Sequence, residues 1–346
     1  MTTEIDIQGR TIGPGRPTYV IAELSANHLQ SFERAVKLIQ AAKEAGADAV
    51  KLQTYTPDSL TISCDNPYFR IQEGTLWAGR TLYDLYSEAA TPYEWHVGLK
   101  RAADDLGITL FSTSFDVAGV DFLEKLGMPV HKIASFELVD LPLIRKAAQT
   151  GKPLILSTGM ATLAEIEEAV NAAREAGAKK LALLKTNSGY PAPPEEMNLR
   201  TIPHLREAFG LPVGLSDHTL SVHVPTVAVT LGASIIEKHL TLSRSEPGPD
   251  SAFSLEPHEF RAMVEGIRMA EKAIGRVSYG PTPREEPSRM LRRSLFVVRD
   301  IKAGETFTED NVRSIRPAHG LHPRHLYDVL GRKAKQDIVK GTPLSW

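Results

Sequence analysis

The chain has 346 residues, 42% of them hydrophobic, with 40 basic against 42 acidic side chains and a single cysteine, Cys64. That is enough apolar material for one large domain plus a small one. The balanced charge leaves no footprint for nucleic acid or an anionic membrane, so a small molecule is the expected partner. One cysteine excludes an internal disulfide and a thiolate metal cluster and suits a reducing compartment. With no apolar run of membrane-spanning length and no leader pattern in "MTTEIDIQGRTIG", a cytoplasmic protein is expected.

In chain order, residues 4–13 read as a short hairpin, and "YVIAEL" at 19–24 is the first apolar strand. Thereafter an Ala-rich amphipathic segment repeatedly ends at a glycine and a β-rich run follows. Gly46, Gly107, Gly127, Gly151, Gly177, Gly210 and Gly232 mark seven such junctions, at positions where a helix C-terminus favours left-handed backbone. With the opening strand this makes eight strand–helix units over residues 1–275, the count and length of an α/β TIM (β/α)8 barrel. One connection, 56–91, is much longer than the others and carries Tyr68, Phe69, Trp77, Tyr83 and Tyr86. It reads equally as an extra packing helix or as a lid over substrate. A Pro- and charge-rich linker at 276–290 precedes a small β-rich module at 291–346, in which "DIKAGETF" and "DIVKGTPL" repeat the pattern D-I-x-x-G.

In such a barrel the chemistry lies where strands end. The polar residues closing the apolar runs are Glu23; Lys51 and Gln53; Ser112, Thr113 and Ser114; Lys132, Ser135 and Glu137; Ser157 and Thr158; Lys185, Asn187 and Ser188; Ser216, Asp217 and His218; and Glu237, Lys238 and His239. Lys51, Lys132 and Lys185 would bring cations to one mouth, which suits an anionic substrate. "STG" at 157–159 would add hydroxyl and backbone donors where a helix begins, a phosphate cradle. His218 and His239 lie one strand–helix unit apart and suit a divalent ion with open positions; a general base or hydrogen-bonded core histidines are the other readings. A strand-borne lysine such as Lys51, Lys132 or Lys238 also leaves room for Schiff-base aldolase chemistry.

The motifs "AELSANH", "GADAVKLQTYTPDSL", "TPYEWH", "KIASFE", "STGMAT", "GLSDHT", "GASIIEKHLTL" and "PDSAFSLEP", followed by "SIRPAHGLHP", resemble the sialic acid synthase family over nearly the whole chain. Within it, "QTYTPDSL", "TPYEWH" and "GLHP" resemble the pseudaminic branch, with neuraminic and legionaminic relatives as the alternatives. The resemblance implies a barrel with a C-terminal antifreeze-like (SAF) domain, assembled as a domain-swapped homodimer. It implies condensation of phosphoenolpyruvate with an open-chain amino-sugar aldehyde, 2,4-diacetamido-2,4,6-trideoxy-L-altrose for this branch. It matches Lys51, Thr113, Lys132, Ser135, Ser157, Gly159, Ser188, Tyr190 and Ser216 to phosphoenolpyruvate, and Glu23, Gln53, Glu137, Asp250 and Arg316 to the sugar. His218 and His239 match a metal pair, for Mn2+ or alternatively Mg2+ or Co2+. Glu137 is the expected proton-transfer group with Glu23 as competitor, and Lys51 and Lys132 would hold the anion. Two departures stand out. "KTNSGYP" has Asn187 and Ser188 where relatives carry cysteine and threonine, and Ser114 stands where many have proline.

Overall fold

The computed structural model describes residues 4–346, which divide into two compact units, one ending at Gly275 and one spanning Arg276–Trp346. In the first, strands β1 (Ile5–Ile7) and β2 (Arg10–Ile12) form an antiparallel hairpin. Eight parallel strands then close into a barrel: β3 (Tyr19–Glu23), β4 (Ala49–Thr54), β5 (Thr109–Ser114), β6 (His131–Ile133), β7 (Leu154–Ser157), β8 (Leu181–Thr186), β9 (Val213–Asp217) and β10 (Ile235–His239). A helix follows each strand. The helix Phe32–Glu44 shows why. Ser31 accepts a hydrogen bond from the Arg34 amide at its start, and Ala35, Leu38, Ile39 and Ala42 bury one stripe against the strands. All seven junction glycines have φ between 63° and 103°.

Alternation along the strands sorts residues into an outer set that meets the helices and an inner set that fills the barrel. The inner set is layered. Its lower part is apolar: Tyr19, Ile21, Ala49, Phe111, Val130, Ile155, Leu184 and Ile235 pack with Ile5, Ile7 and Ile12 of the hairpin, none more than 2% exposed. At about 1.5–3 kcal/mol for each large aliphatic side chain buried, the hairpin is a stabilising floor. Gly214 is inside as well, where a Cβ would stand 2.3 Å from the Ile235 carbonyl oxygen. Two residues further along the same inward faces the character changes, from Ile21 to Glu23, Ala49 to Lys51, Phe111 to Thr113, Val130 to Lys132, Ile155 to Ser157 and Ile235 to Glu237.

The long connection after β4 contains helices Pro57–Leu60 and Leu82–Ala89 and a 3-10 turn at Pro67–Phe69. Tyr86 packs on Tyr55, Tyr68 is exposed, and Trp77 donates to the Pro249 carbonyl at 2.8 Å.

In the second unit, a 3-10 turn at Glu286–Leu291 precedes β11 (Ser294–Val297), which pairs antiparallel with β12 (Val312–Ile315). Leu295, Val297, Ile301, Val312, Val329, Ala334 and Leu344 form its own core. The two D-I-x-x-G repeats are reciprocal. Ile301 bridges Ile338, the Asp337 carboxylate accepts from the Ala303 amide, and the Asp300 carboxylate accepts from the Lys340 amide. Among the described residues, no helix is long and apolar enough to cross a membrane.

Candidate active site

The strand register sets Glu23 beside Lys51, Gln53 beside Thr113, Thr113 beside Lys132, Glu237 beside Ser216, and His239 beside Glu23. Their side chains meet in one buried cluster. Lys51 Nζ lies 2.6 Å from Glu23 Oε2, 3.5 Å from Glu237 Oε1 and 2.8 Å from Thr113 Oγ1. Lys132 Nζ donates to Ser157 Oγ at 2.8 Å and lies 3.8 Å from Glu237 Oε1, which also accepts from Ser216 Oγ at 3.3 Å. Glu237 therefore stands between the two lysines. It appeared among the strand-end residues with no role assigned, and only the register reveals it as their shared partner.

Burial and charge compete here. Burial pushes the Glu23 carboxyl up to about 7 against the pull of Lys51. For Lys51 burial acts downward, but Glu23 and Glu237 outweigh it and hold the ammonium above its ordinary range. Lys132, with weaker company, is pulled by burial down to about 8. Glu237 is held below the usual carboxylate range because the two lysines outweigh its burial. The mouth thus carries two ammonium groups close to neutralised by carboxylates, beside a Glu237 Oε2 that is buried without a partner.

Next to Lys132, Ser135 Oγ and Ser188 Oγ are 3.0 Å apart. Gly159 bends over them with φ 48°, and a Cβ there would come within 2.4 Å of Ser135 Cβ and 3.0 Å of Ser188 Oγ. The helix after β7 begins only at Leu163 and is closed by its own capping box between Thr162 and Glu165. Residues 157–159 therefore bring hydroxyls and a bare glycine to this pocket, and the helix expected to begin there starts further along the chain. Lys185 is a second correction. Leu184 belongs to the inner set, so Lys185 faces the helices, and its Nζ is held by the Thr186 carbonyl at 2.7 Å. Lys238 is likewise turned outward, in a fully buried pair with Asp217 Oδ2 at 2.6 Å and with the Thr219 carbonyl; this removes one candidate for imine chemistry. Ser112 also faces out, bonded to Thr54, which in turn meets His96.

His218 and His239 do converge, with ring centroids 5.3 Å apart. His218 Nδ1 meets the Asn187 carbonyl at 2.6 Å, and because a carbonyl only accepts, the proton sits on Nδ1 and the lone pair on Nε2. Burial lowers His218 to about 4, and His239 falls well below its ordinary value through burial and the neighbouring His218. Both rings are neutral at pH 7, as ligation requires. His239 Nδ1 is buried without a partner. His218 Nε2 and His239 Nδ1 are thus two nitrogen donors of the kind a divalent ion takes, and among the described residues no cage of three or more His, Cys, Asp or Glu surrounds them. Tyr190 stacks on His218 at 4.4 Å, Phe253 lies against His239 at 4.9 Å, and Trp77 from the long connection covers both Tyr190 and Phe253.

On the side of Glu23 the cluster continues outward. Gln53 Nε2 donates to Glu23 Oε1 at 2.9 Å and to Ser25 Oγ at 3.2 Å, and Ser25 Oγ donates to Asp250 Oδ2. Glu137 is half-buried, pushed up to about 7 by burial, and within electrostatic reach of Lys132, with Oε2 unpartnered. Arg316 lies in the second unit, exposed, at the end of β12.

Residues 38–279 match the NeuB family and residues 292–346 the SAF domain, so the chain belongs to the NeuB family. It is 46% identical to the pseudaminic acid synthase of Helicobacter pylori, over 95% of this chain and 97% of that protein. It is 36% identical to the N,N'-diacetyllegionaminic acid synthase of Legionella pneumophila, over 96% of this chain and 95% of that one. The crystal structure of an N-acetylneuraminic acid synthetase from Leptospira borgpetersenii superimposes with a TM-score of 0.74 at 31% identity, covering 83% of this chain and 95% of that one.

Proposed function

We propose that the barrel mouth condenses phosphoenolpyruvate with 2,4-diacetamido-2,4,6-trideoxy-L-altrose, giving pseudaminic acid and inorganic phosphate. The observation that carries this is the pair of buried lysines, Lys51 and Lys132, set among Thr113, Ser157 and Ser216 and sharing Glu237. Two fixed ammonium groups with hydroxyl donors suit a small molecule bearing both a carboxylate and a phosphate. The 46% identity to pseudaminic acid synthases supports the choice of sugar.

Carbon 3 of phosphoenolpyruvate attacks the aldehyde carbon, the aldehyde oxygen gains a proton, and water adds to carbon 2 and loses one; the C–O bond to phosphate then breaks as the carbon 2 hydroxyl becomes the keto group and its proton leaves with the phosphate. Lys51 and Lys132 hold the carboxylate and phosphate through these changes, with Ser135, Ser188 and Gly159 lining the phosphate end and Tyr190 walling the cleft. Glu137 and Glu23, both at about 7, are poised to give or take a proton near neutrality. Synthases of this family depend on metal in general. His218 and His239 would hold it here, Mn2+ in our reading. Such a cation supplies Lewis-acid polarisation of a carbonyl oxygen. Gln53 and Asp250 read the sugar, and Arg316 of a domain-swapped partner would add a contact to its acetamido group.

The test is phosphate release from phosphoenolpyruvate with Mn2+, offering the altro sugar, its manno isomer and N-acetylmannosamine in parallel. Turnover is expected with the altro sugar; preference for a manno sugar overturns the substrate assignment, and release with none of them overturns the reaction.

A further inference from the structure

Beyond Glu23 the chain turns sharply. Ser25, Leu29 and Gln30 have φ of 46°, 47° and 54°, three of the five non-glycine residues with positive φ among the described residues. Glycine would adopt the Ser25 conformation without the Cβ clash that serine bears. Nor does the hydroxyl serve the turn, whose N-terminus has no side-chain cap. It reaches across to Asp250 Oδ2 and accepts from Gln53 Nε2 at 3.2 Å. Strain retained at a buried position beside an active site points to a role for the side chain that causes it.

The hydrogen bonds form one chain, Glu23 to Gln53 to Ser25 to Asp250, in which Ser25 is the joint. With Glu23 ionised its Oε1 accepts, so the amide nitrogen of Gln53 faces Glu23 and Ser25, and the Gln53 carbonyl oxygen is left as an acceptor. Asp250 Oδ2 takes Ser25 and the Ala26 amide, leaving Oδ1 as an acceptor. The backbone around Asp250 is anchored independently. Trp77 holds the Pro249 carbonyl, and Ser254 Oγ holds that of Asp250 while accepting from Asn27. Removing the Ser25 hydroxyl would therefore leave the Asp250 carboxylate held by the Ala26 amide alone and the Gln53 amide by Glu23 alone, loosening both without moving the chain.

We infer that Ser25 is a positioning residue for sugar specificity, fixing one acceptor on Asp250 and one on Gln53 for the N–H and O–H groups whose directions distinguish altro from manno acetamido sugars. This rests on the proposed condensation. The experiment compares Ser25→Gly and Ser25→Ala with the parent for thermal unfolding, KM for phosphoenolpyruvate, and kcat/KM for the altro and manno sugars. The glycine variant should melt at or above the parent. In both variants the altro-to-manno ratio of kcat/KM should fall about tenfold, the loss expected for one oriented hydrogen bond, with KM for phosphoenolpyruvate within about twofold of the parent. A folded glycine variant with an unchanged ratio would overturn the inference, as would equal losses toward phosphoenolpyruvate and both sugars, the mark of a merely structural residue. A parent that discriminates but prefers the manno sugar would refute the substrate assignment alone, and the ratio would still report on Ser25. A parent that releases no phosphate would refute the condensation, and the inference with it.

Discussion

Replacing Glu237 by Gln keeps the size of the side chain and removes the charge shared by the two lysines. Glu237 Oε1 lies 3.8 Å from Lys132 Nζ, a separation at which two unit charges interact by about 4 kcal/mol at an effective dielectric constant of about 20. Lys51 keeps Glu23 at 2.6 Å and stays charged. Lys132 has no such reserve. Its pKa of about 8 leaves it about nine-tenths charged at pH 7, and losing even half of that interaction, about 2 kcal/mol, makes it mostly neutral. Glu237→Gln should therefore raise KM for phosphoenolpyruvate about tenfold or more at pH 8. Most of the deficit should vanish near pH 6, where Lys132 regains its proton, and KM for the sugar should stay within about twofold. Initial rates of phosphate release at pH 6, 7 and 8 measure this. A KM for phosphoenolpyruvate equal to the parent's throughout, or a deficit independent of pH, would refute the reasoning.

Other outcomes follow from the same geometry. His218→Ala and His239→Ala should each weaken Mn2+ binding at least tenfold by titration calorimetry, and chelation should abolish turnover that Mn2+ restores. Glu137 has a folded pKa raised to about 7, so between the ordinary carboxyl value and 7 the folded state holds a proton that the unfolded state has lost. Stability falls as pH rises through that window. Glu137→Gln should therefore melt higher relative to the parent at pH 8 than at pH 5, while kcat falls by about a hundredfold or more. Gly159→Ala, forced against Ser135 at 2.4 Å with φ 48°, should cost about 1–2 kcal/mol in urea unfolding and raise KM for phosphoenolpyruvate.

The barrel was legible because its signal is periodic, with a glycine ending each helix and an apolar run following. Most of the mouth was legible too, since a polar residue two places beyond an apolar inward one lies on the same face. Lys185 was misplaced for want of that parity, which a polar run such as "KTNS" does not reveal by itself. Glu237 lacked a role because its partners lie on β4 and β6, distant in sequence. Ser25 was unreadable for a different reason: nothing in "AELSANH" announces a left-handed serine.

The hairpin floor has a consequence for how this molecule can change. Because Ile5, Ile7 and Ile12 seal the lower half as hydrocarbon, cohesion there owes little to the polar storey above. Substitutions that retune the mouth for another sugar can accumulate in loops and strand tips while the foundation stays put. A lineage could then explore new carbohydrates by redecorating one end of a vessel whose other end is already corked.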